Sequence, residues 1–179
     1  MAEIRVIIPS VNEYQHRVRA LGATFIGTYA CTDTIFTLKI YSNLNQELIR
    51  IRTYTENNWP TKNVIVTHKK TEDGATKPHN IILKKEFEDL ETATRFLHTY
   101  YRSPEKQVEY SRKGWEYHLN TTKIYIENVE LLGPTAELED HHHEHLEHLL
   151  QQLGNPERVT GSLPNLIKKI TSTFTDLYK

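Results

Sequence analysis

The strongest constraint on the fold of this chain is a period-two alternation of charged and apolar residues that recurs in several short segments. In the segment 48–52, Arg50 and Arg52 alternate with Ile49 and Ile51, and side chains at positions i and i+2 of a strand share one face. Such segments are typical of strands that have one charged and one apolar face. Connections of hairpin length favour antiparallel pairing of these strands.

Helical patterns separate some of the predicted strands. Ser10 and Glu13 have the spacing of a capping box, and Gly22 stands where the helix that follows should end. Asp89 can cap a second helix, and leucine-rich stripes in 146–153 and 166–177 predict two more. With about eight to ten strands between them, the 179 residues are predicted to form one α+β domain.

The composition excludes several classes of function. A formal net charge of −1 argues against a general nucleic-acid or membrane-surface binder. No apolar stretch approaches the roughly 20 residues that span a membrane, and the first ten residues do not have the pattern of a secretory signal. With a single cysteine, Cys31, no internal disulfide can form. We therefore expect a cytoplasmic protein with neither a nucleic-acid nor a membrane partner.

The charged faces have two interpretations. A sheet with one solvated face shows the same alternation, with opposite charges paired across strands, and periodicity alone favours this interpretation. A wide barrel with the charged faces inward would instead enclose a polar cavity. Basic residues predominate on some strands and glutamates on others, which would supply donors for a triphosphate and oxygen ligands for its divalent metal. The alternation alone does not decide between the solvated sheet and the barrel with a polar cavity.

A series of short motifs follows the predicted strands and helices: Leu21-Gly22-Ala23, Asp33 to Phe36, Ile49 to Arg52, Val66 to Lys69, Lys84 to Glu88, Arg112, Ile126 to Val129, Leu132-Gly133 and Glu137 to Glu139. In this order they resemble the motifs of the CYTH (triphosphate tunnel) superfamily and its class IV adenylate cyclase-like branch. They extend over nearly the whole chain. The resemblance implies a closed antiparallel eight-stranded β-barrel, the triphosphate tunnel, with flanking helices.

The resemblance also implies a site and a ligand. Six basic residues would bind phosphates: Arg50, Arg52, Lys69, Lys84, Arg112 and Lys123. Six glutamates would bind Mg²⁺ or Mn²⁺, or position the basic groups: Glu3, Glu86, Glu88, Glu127, Glu137 and Glu139. The partner would be a small-molecule triphosphate such as ATP, inorganic triphosphate or thiamine triphosphate. No catalytic residue is assigned, and a homodimer is left open.

The first strand departs from the E-x-E-x-K signature of the family. Glu3 matches, but Arg5 replaces the second glutamate and Ile7 replaces the lysine. An arginine in place of a carboxylate should weaken a nearby cation site. The expected function is metal-dependent processing of a triphosphate, either by hydrolysis or by cyclisation of ATP. The alternatives are a catalytically impaired module that binds a triphosphate or polyphosphate, and a barrel that binds no phosphate.

A histidine-rich segment, 140–148, raises a separate metal hypothesis. His141, His145 and His148 have the i, i+4, i+7 spacing that places three imidazoles on one helical face, where Zn²⁺, Ni²⁺ or Cu²⁺ could bind. The leucine stripe of the same segment lies on a different face. A solvated surface helix is therefore the favoured interpretation.

Overall fold

The computed structural model describes residues 2–38, 47–57, 63–70 and 80–177 of the chain. Its strands are β1 (Ala2–Ile7), β2 (Thr24–Leu38), β3 (Glu47–Asn57), β4 (Val64–Lys70), β5 (Asn80–Phe87), β6 (Pro104–Leu119), β7 (Thr122–Val129) and β8 (Gly133–Asp140). Its helices are α1 (Val11–Ala20), α2 (Leu90–Tyr100), α3 (His143–Gln152) and α4 (Leu163–Leu177). None of the helices within these ranges is long and apolar enough to cross a membrane. The predicted α+β class is confirmed.

The strands form one eight-stranded sheet in the order β1-β8-β7-β6-β2-β3-β4-β5. The pairs β1–β8, β8–β7, β7–β6, β3–β4 and β4–β5 are antiparallel, as the short connections predicted. Within the described ranges no ladder joins β1 to β5, so closure of the sheet into a barrel stays a prediction. Strands β2 and β6 are continuous over 15 and 16 residues, and the eight strands of the described ranges lie within the predicted eight to ten.

The chain divides into two compact units. The first comprises Met1–Ala30 and Arg112–Thr160, and the second comprises Cys31–Ser111 and Gly161–Lys179. Strands β2 and β6 each contribute residues to both units. Each unit therefore has its own part of the sheet and its own helices.

In the first unit, α1 and α3 cover one face of the sheet. Ser10 caps α1 by accepting a hydrogen bond from the backbone nitrogen of Glu13 at 3.4 Å, and Gly22 follows the helix at a φ of +90°, which favours glycine. The core contains Ile4, Val6, Tyr14, Val18, Tyr117, Ile124, Ile126, Leu138, Leu146, Leu149 and Leu150. Because side chains alternate along a strand, the opposite face carries Glu3, Arg5, Lys123, Glu127, Glu137 and Glu139.

In the second unit, α2 covers one face of β3, β4 and β5. Asp89 caps α2 by accepting a hydrogen bond from the backbone nitrogen of Thr92 at 2.7 Å, and this bond lowers the pKa of the Asp89 carboxyl. The core contains Phe36, Ile49, Ile51, Val64, Val66, Phe87, Ala93, Leu97 and Tyr101. The opposite face of these strands carries Arg50, Arg52, Thr67, Lys69, Lys84 and Glu86.

A buried carboxylate at the end of β8 ties together three segments of the first unit. Asp140 accepts hydrogen bonds from the hydroxyls of Thr121 at 2.9 Å and Thr122 at 2.6 Å, and from the backbone nitrogen of His142 at 2.9 Å. Burial opposes ionisation of Asp140, but these hydrogen bonds outweigh it and hold the pKa of the carboxyl below its usual range. The Asp140 carboxylate thus holds both the turn before β7 and the start of α3 in place by hydrogen bonds.

The Asp140→Asn variant should lose about 2 kcal/mol of unfolding free energy at pH 7, because an amide has one acceptor oxygen where the carboxylate has two. A depressed folded-state pKa contributes stability above the unfolded pKa of about 4 and loses it as the pH falls. Urea unfolding should therefore show a smaller difference between variant and wild type at pH 3. If the unfolding free energies of variant and wild type differ by the same amount at both pH values, Asp140 is not ionised in the folded protein. The exposed Glu144, changed to Gln, serves as the control.

Candidate functional site

One face of the sheet in the second unit gathers four of the six predicted phosphate-binding residues. We call this the basic face; it carries Arg50, Arg52, Lys69 and Lys84. In the register of β3, β4 and β5, Arg50 lies opposite Thr67, and Thr67 lies opposite Lys84. Side chains that are paired in this way across neighbouring strands are adjacent. Arg50, Thr67 and Lys84 therefore lie side by side in one row across β3, β4 and β5.

Asp33 on β2 fixes one arginine of the basic face. Nε of Arg52 donates to Oδ1 of Asp33 at 2.6 Å, and Nη2 of Arg52 donates to Oδ2 at 2.9 Å. Burial by itself lowers the pKa of Arg52, but the fully buried carboxylate of Asp33 outweighs this and the pKa is raised. Sequence reasoning placed Asp33 in a motif without giving it a role. Its role in the structure is to hold Arg52 in a bidentate pair.

Arg50 is held much less tightly than its neighbour. Its nearest ion-pair contact joins Nη1 to Oδ2 of Asp33 at 3.9 Å, which is beyond hydrogen-bond length. Its Nε is buried and has no hydrogen-bond partner among the described residues. The side chain is 20% exposed, so it can be reached from solvent. The exposed part of the Arg50 guanidinium can therefore contact an anion, whereas Asp33 already occupies two nitrogens of Arg52.

The predicted metal ligands divide between the two units. Glu86 and Glu88 belong to the second unit and are both exposed; Glu86 is on β5, and Glu88 follows the end of that strand. The other four lie in the first unit, on what we call the acidic face: Glu3, Glu127, Glu137 and Glu139. Carboxylate oxygens of Glu3, Glu137 and Glu139 lie within 4.8 Å of one another. Three of the six predicted ligands thus converge.

Arg5 lies in the middle of the acidic face, and the sequence did not predict which residues it contacts. Its Nη1 donates to Oε2 of Glu127 at 2.5 Å and to Oγ1 of Thr135 at 3.1 Å. Its Nη2 donates to Oε2 of Glu137. Burial alone lowers the pKa of Arg5, but the charge of Glu127 and its hydrogen bond outweigh burial, so the pKa is raised. Arg5 is consequently a permanent cation bound to two of the predicted metal ligands.

The other oxygen of Glu127 is also engaged. Nη1 of Arg112 donates to Oε1 at 2.7 Å, and the hydroxyl of Tyr29 donates to the same atom. The side chains of Glu127 and Arg112 are only 1% and 6% exposed. Arg112, which the resemblance assigns to phosphate, is therefore a partner of Glu127 in this structure.

Gly114 on β6 makes room for Tyr29. A Cβ atom at position 114 would lie 2.3 Å from Cζ and 2.6 Å from the hydroxyl oxygen of Tyr29. In the register of β6 and β7, Gly114 lies opposite Glu127, so the tyrosine ring crosses the glycine to reach the carboxylate. Neither the glycine nor the tyrosine was singled out from the sequence, because their contact depends on strand order.

The Gly114→Ala variant should displace the Tyr29 ring and lose about 1–3 kcal/mol of unfolding free energy, since overpacking a buried site has a cost of this size. Chemical denaturation measures the loss. In the double variant with Tyr29→Ala the alanine at 114 should have little additional effect, because the ring that it meets is absent. Additive losses in the double variant would show that the ring does not lie over Gly114.

Two further predicted features lie on the surface of the first unit. Lys123 is exposed on β7 and pairs in register with Glu139.

The second feature is the histidine-rich segment. His141 precedes the first residue of α3, so it does not share a helical face with His145 and His148 as the spacing predicted. All three histidines are exposed, and none belongs to a group of converging metal ligands within the described residues. The favoured interpretation of a solvated helix agrees with this arrangement.

Comparison of the whole chain with known proteins yields matches in structure. Neither a family model nor a curated protein sequence matches the chain. The protein PH1819 of Pyrococcus horikoshii OT3 superposes with a TM-score of 0.76 and 20% identity over 94% of this chain and 98% of that one. A candidate adenylate cyclase of Vibrio parahaemolyticus has a TM-score of 0.69 and 14% identity over 96% and 97%.

A third neighbour comes from a plant. HpAC1 of Hippeastrum, a candidate adenylyl cyclase reported to have a dominant triphosphatase activity, superposes with a TM-score of 0.66 and 15% identity over 93% of this chain and 94% of its own. These neighbours are consistent with the resemblance to the CYTH superfamily that the motifs indicated. The chain thus has the fold of candidate adenylate cyclases and of a protein with triphosphatase activity.

Proposed function

We propose that this chain binds a small-molecule triphosphate through its basic face. The observation that carries the proposal is Arg50, a guanidinium group whose side chain is 20% exposed and whose contact with Asp33 is as long as 3.9 Å. It adjoins Arg52, which Asp33 holds in place. A triphosphate has several negative charges and many acceptor oxygens, which arginine donors match in geometry and charge.

The other basic residues extend this proposed site. Lys84 lies in the same row as Arg50, and Lys69 is on the adjacent strand β4. ATP, inorganic triphosphate and thiamine triphosphate share the phosphate chain that these residues would contact. The structural neighbours support this choice, since one is reported as a triphosphatase and another as a candidate cyclase. Roles of Arg112 and Lys123 in phosphate binding, and closure of the sheet into a tunnel, remain predictions.

The expected metal ion concerns the acidic face of the first unit. An Mg²⁺ or Mn²⁺ ion was expected there from the resemblance, but both oxygens of Glu127 and one oxygen of Glu137 accept hydrogen bonds from protein donors. The residues as placed therefore do not fit a metal ion at Glu127. Binding without turnover is the function that we propose. Hydrolysis, in which water attacks the terminal phosphorus and phosphate leaves, is the second candidate, favoured by the Hippeastrum neighbour.

Incubation of the purified protein with ATP, inorganic triphosphate and thiamine triphosphate tests the proposal. Each ligand is tried with Mg²⁺, with Mn²⁺ and with EDTA. A ligand at about 100 times its Kd adds about 2.7 kcal/mol, which for a chain of this size corresponds to a rise in Tm of about 5–10 °C. We expect this rise with at least one triphosphate and no product. Phosphate release would establish the hydrolase, and cyclic AMP with pyrophosphate would establish a cyclase.

The control separates the basic face from general charge effects. Arg95 is an exposed arginine of α2 that pairs with Glu91 on the helix surface. The Arg95→Ala variant should keep the full thermal shift. Absence of both a shift and any product with all three ligands, from protein that circular dichroism shows to be folded, would refute the proposal.

A further inference from the structure

The acidic face contains a cation of its own. Arg5 lies opposite Glu137 in the ladder of β1 and β8, and Glu127 lies opposite Thr135 in the ladder of β7 and β8. The guanidinium of Arg5 reaches all three of these partners. It therefore bridges two carboxylates that come from different strands, as a divalent ion would if it were bound between them.

The charges around Glu127 are already balanced. Arg5 and Arg112 bring two positive charges to the two negative charges of Glu127 and Glu137. Glu127 accepts three hydrogen bonds, from Arg5, Arg112 and Tyr29, and is almost completely buried. Burial removes water from the Glu127 carboxylate. The two guanidinium groups and the tyrosine hydroxyl supply charge and hydrogen bonds in place of that water. A metal ion at Glu127 would first have to displace Arg5.

We propose that Arg5 is a built-in cation of the acidic face and takes the place of a divalent metal ion between Glu127 and Glu137. The inference concerns only the first unit and does not depend on triphosphate binding to the basic face. An arginine holds negative charge in place, but it has no open coordination position for a reacting oxygen.

The remaining carboxylates do not restore a strong metal site. Glu3 and Glu139 have oxygens near those of Glu137, but Glu3 is exposed and one oxygen of Glu137 accepts a hydrogen bond from Arg5. A strong divalent-ion site needs several oxygen ligands that are held in place. A positive charge in contact with one of the three opposes the approach of a second cation. In wild-type protein this group therefore binds a divalent ion weakly.

Titration with Mn²⁺ alone, without any phosphate compound, tests the inference. We compare wild type with Arg5→Glu and Arg5→Lys by calorimetry and by the loss of the free Mn²⁺ signal in electron paramagnetic resonance. The Arg5→Glu variant should bind one ion per chain at least tenfold more tightly than wild type, because the charge at position 5 changes from +1 to −1 beside the carboxylates. Arg5→Lys keeps the cation and should stay as weak as wild type.

Two further variants locate the effect. Adding Glu137→Gln to Arg5→Glu should remove the gain in Mn²⁺ affinity. The Arg95→Glu variant makes the same change of charge on the exposed face of α2 and should leave Mn²⁺ binding unchanged. If circular dichroism shows Arg5→Glu to be unfolded, Arg5→Gln decides instead, with a gain of at least threefold expected.

Tight binding in the wild type would overturn the inference. If wild type binds one Mn²⁺ per chain as tightly as Arg5→Glu or Arg5→Gln does, and Glu137→Gln abolishes that binding, Arg5 does not replace the metal. Equal affinity for Mn²⁺ in Arg5→Lys and Arg5→Glu would overturn it as well, because the charge at position 5 would then have no effect.

Discussion

Replacing Glu127 with alanine is expected to lower the free energy of unfolding by about 3–5 kcal/mol. The substitution leaves the guanidinium groups of Arg5 and Arg112 buried in the first unit without the carboxylate that both contact. Removing one partner of a buried ion pair has a far larger effect than removing a surface pair, because the buried guanidinium groups lose a carboxylate that compensated their charge and water does not replace it. Urea unfolding at pH 7 measures the loss.

A surface pair provides the matched control. Glu91 is 83% exposed and pairs with Arg95 at 2.6 Å on the outer side of α2. The Glu91→Ala variant should lose no more than about 0.5 kcal/mol, as is usual for an exposed helical pair. A loss below about 1 kcal/mol for Glu127→Ala would contradict the buried network, since a value of that size is typical of exposed pairs.

Replacing Arg50 with alanine is expected to weaken the binding of inorganic triphosphate at least tenfold while changing stability by less than about 1 kcal/mol. Arg50 has no short hydrogen bond to Asp33, so its removal leaves the pair of Asp33 and Arg52 in place. A charge-assisted hydrogen bond to phosphate contributes more than the tenfold equivalent of about 1.4 kcal/mol. Calorimetric titration of folded variant and wild type measures the ratio of the Kd values.

Arg52 provides an internal comparison on the same face. The Arg52→Ala variant removes the bidentate partner of the fully buried Asp33, and it should therefore lose about 3–5 kcal/mol of stability. Removal of Arg50 is thus predicted to lower the affinity for the ligand, whereas removal of Arg52 is predicted to lower the stability of the protein. If Arg50→Ala binds triphosphate as tightly as wild type, the role given to Arg50 is wrong.

The division of side chains between the two faces of the sheet could be predicted from the sequence. Alternation placed Arg50 and Arg52 opposite the isoleucines, and those isoleucines pack in the core with α2. The starts of α1 at Ser10 and α2 at Asp89 followed from capping chemistry, which depends on residues only a few positions apart. Local patterns of this kind are physically determined by neighbouring residues, so one sequence suffices to predict them.

The contacts inside the candidate site could not be predicted in the same way. Arg5 and Glu127 are 122 positions apart, and Tyr29 and Glu127 are 98 apart. Their contact depends on the order and register of strands, which alternation along a single strand does not specify. The sequence indicated that Arg5 weakens a metal site, but not that it binds two of the expected ligands. The pairing of Asp33 with Arg52 was missed for the same reason.

Calorimetric titration of the wild-type protein with inorganic triphosphate in EDTA tests whether the basic face binds a triphosphate. Inorganic triphosphate has neither a base nor a sugar, so it probes the phosphate-binding residues alone. We predict saturable binding of one triphosphate per chain, with a Kd in the micromolar range or about −8 kcal/mol, and at least tenfold weaker binding by the Arg50→Ala variant. Folded wild-type protein that gives no saturable heat with inorganic triphosphate would contradict the account.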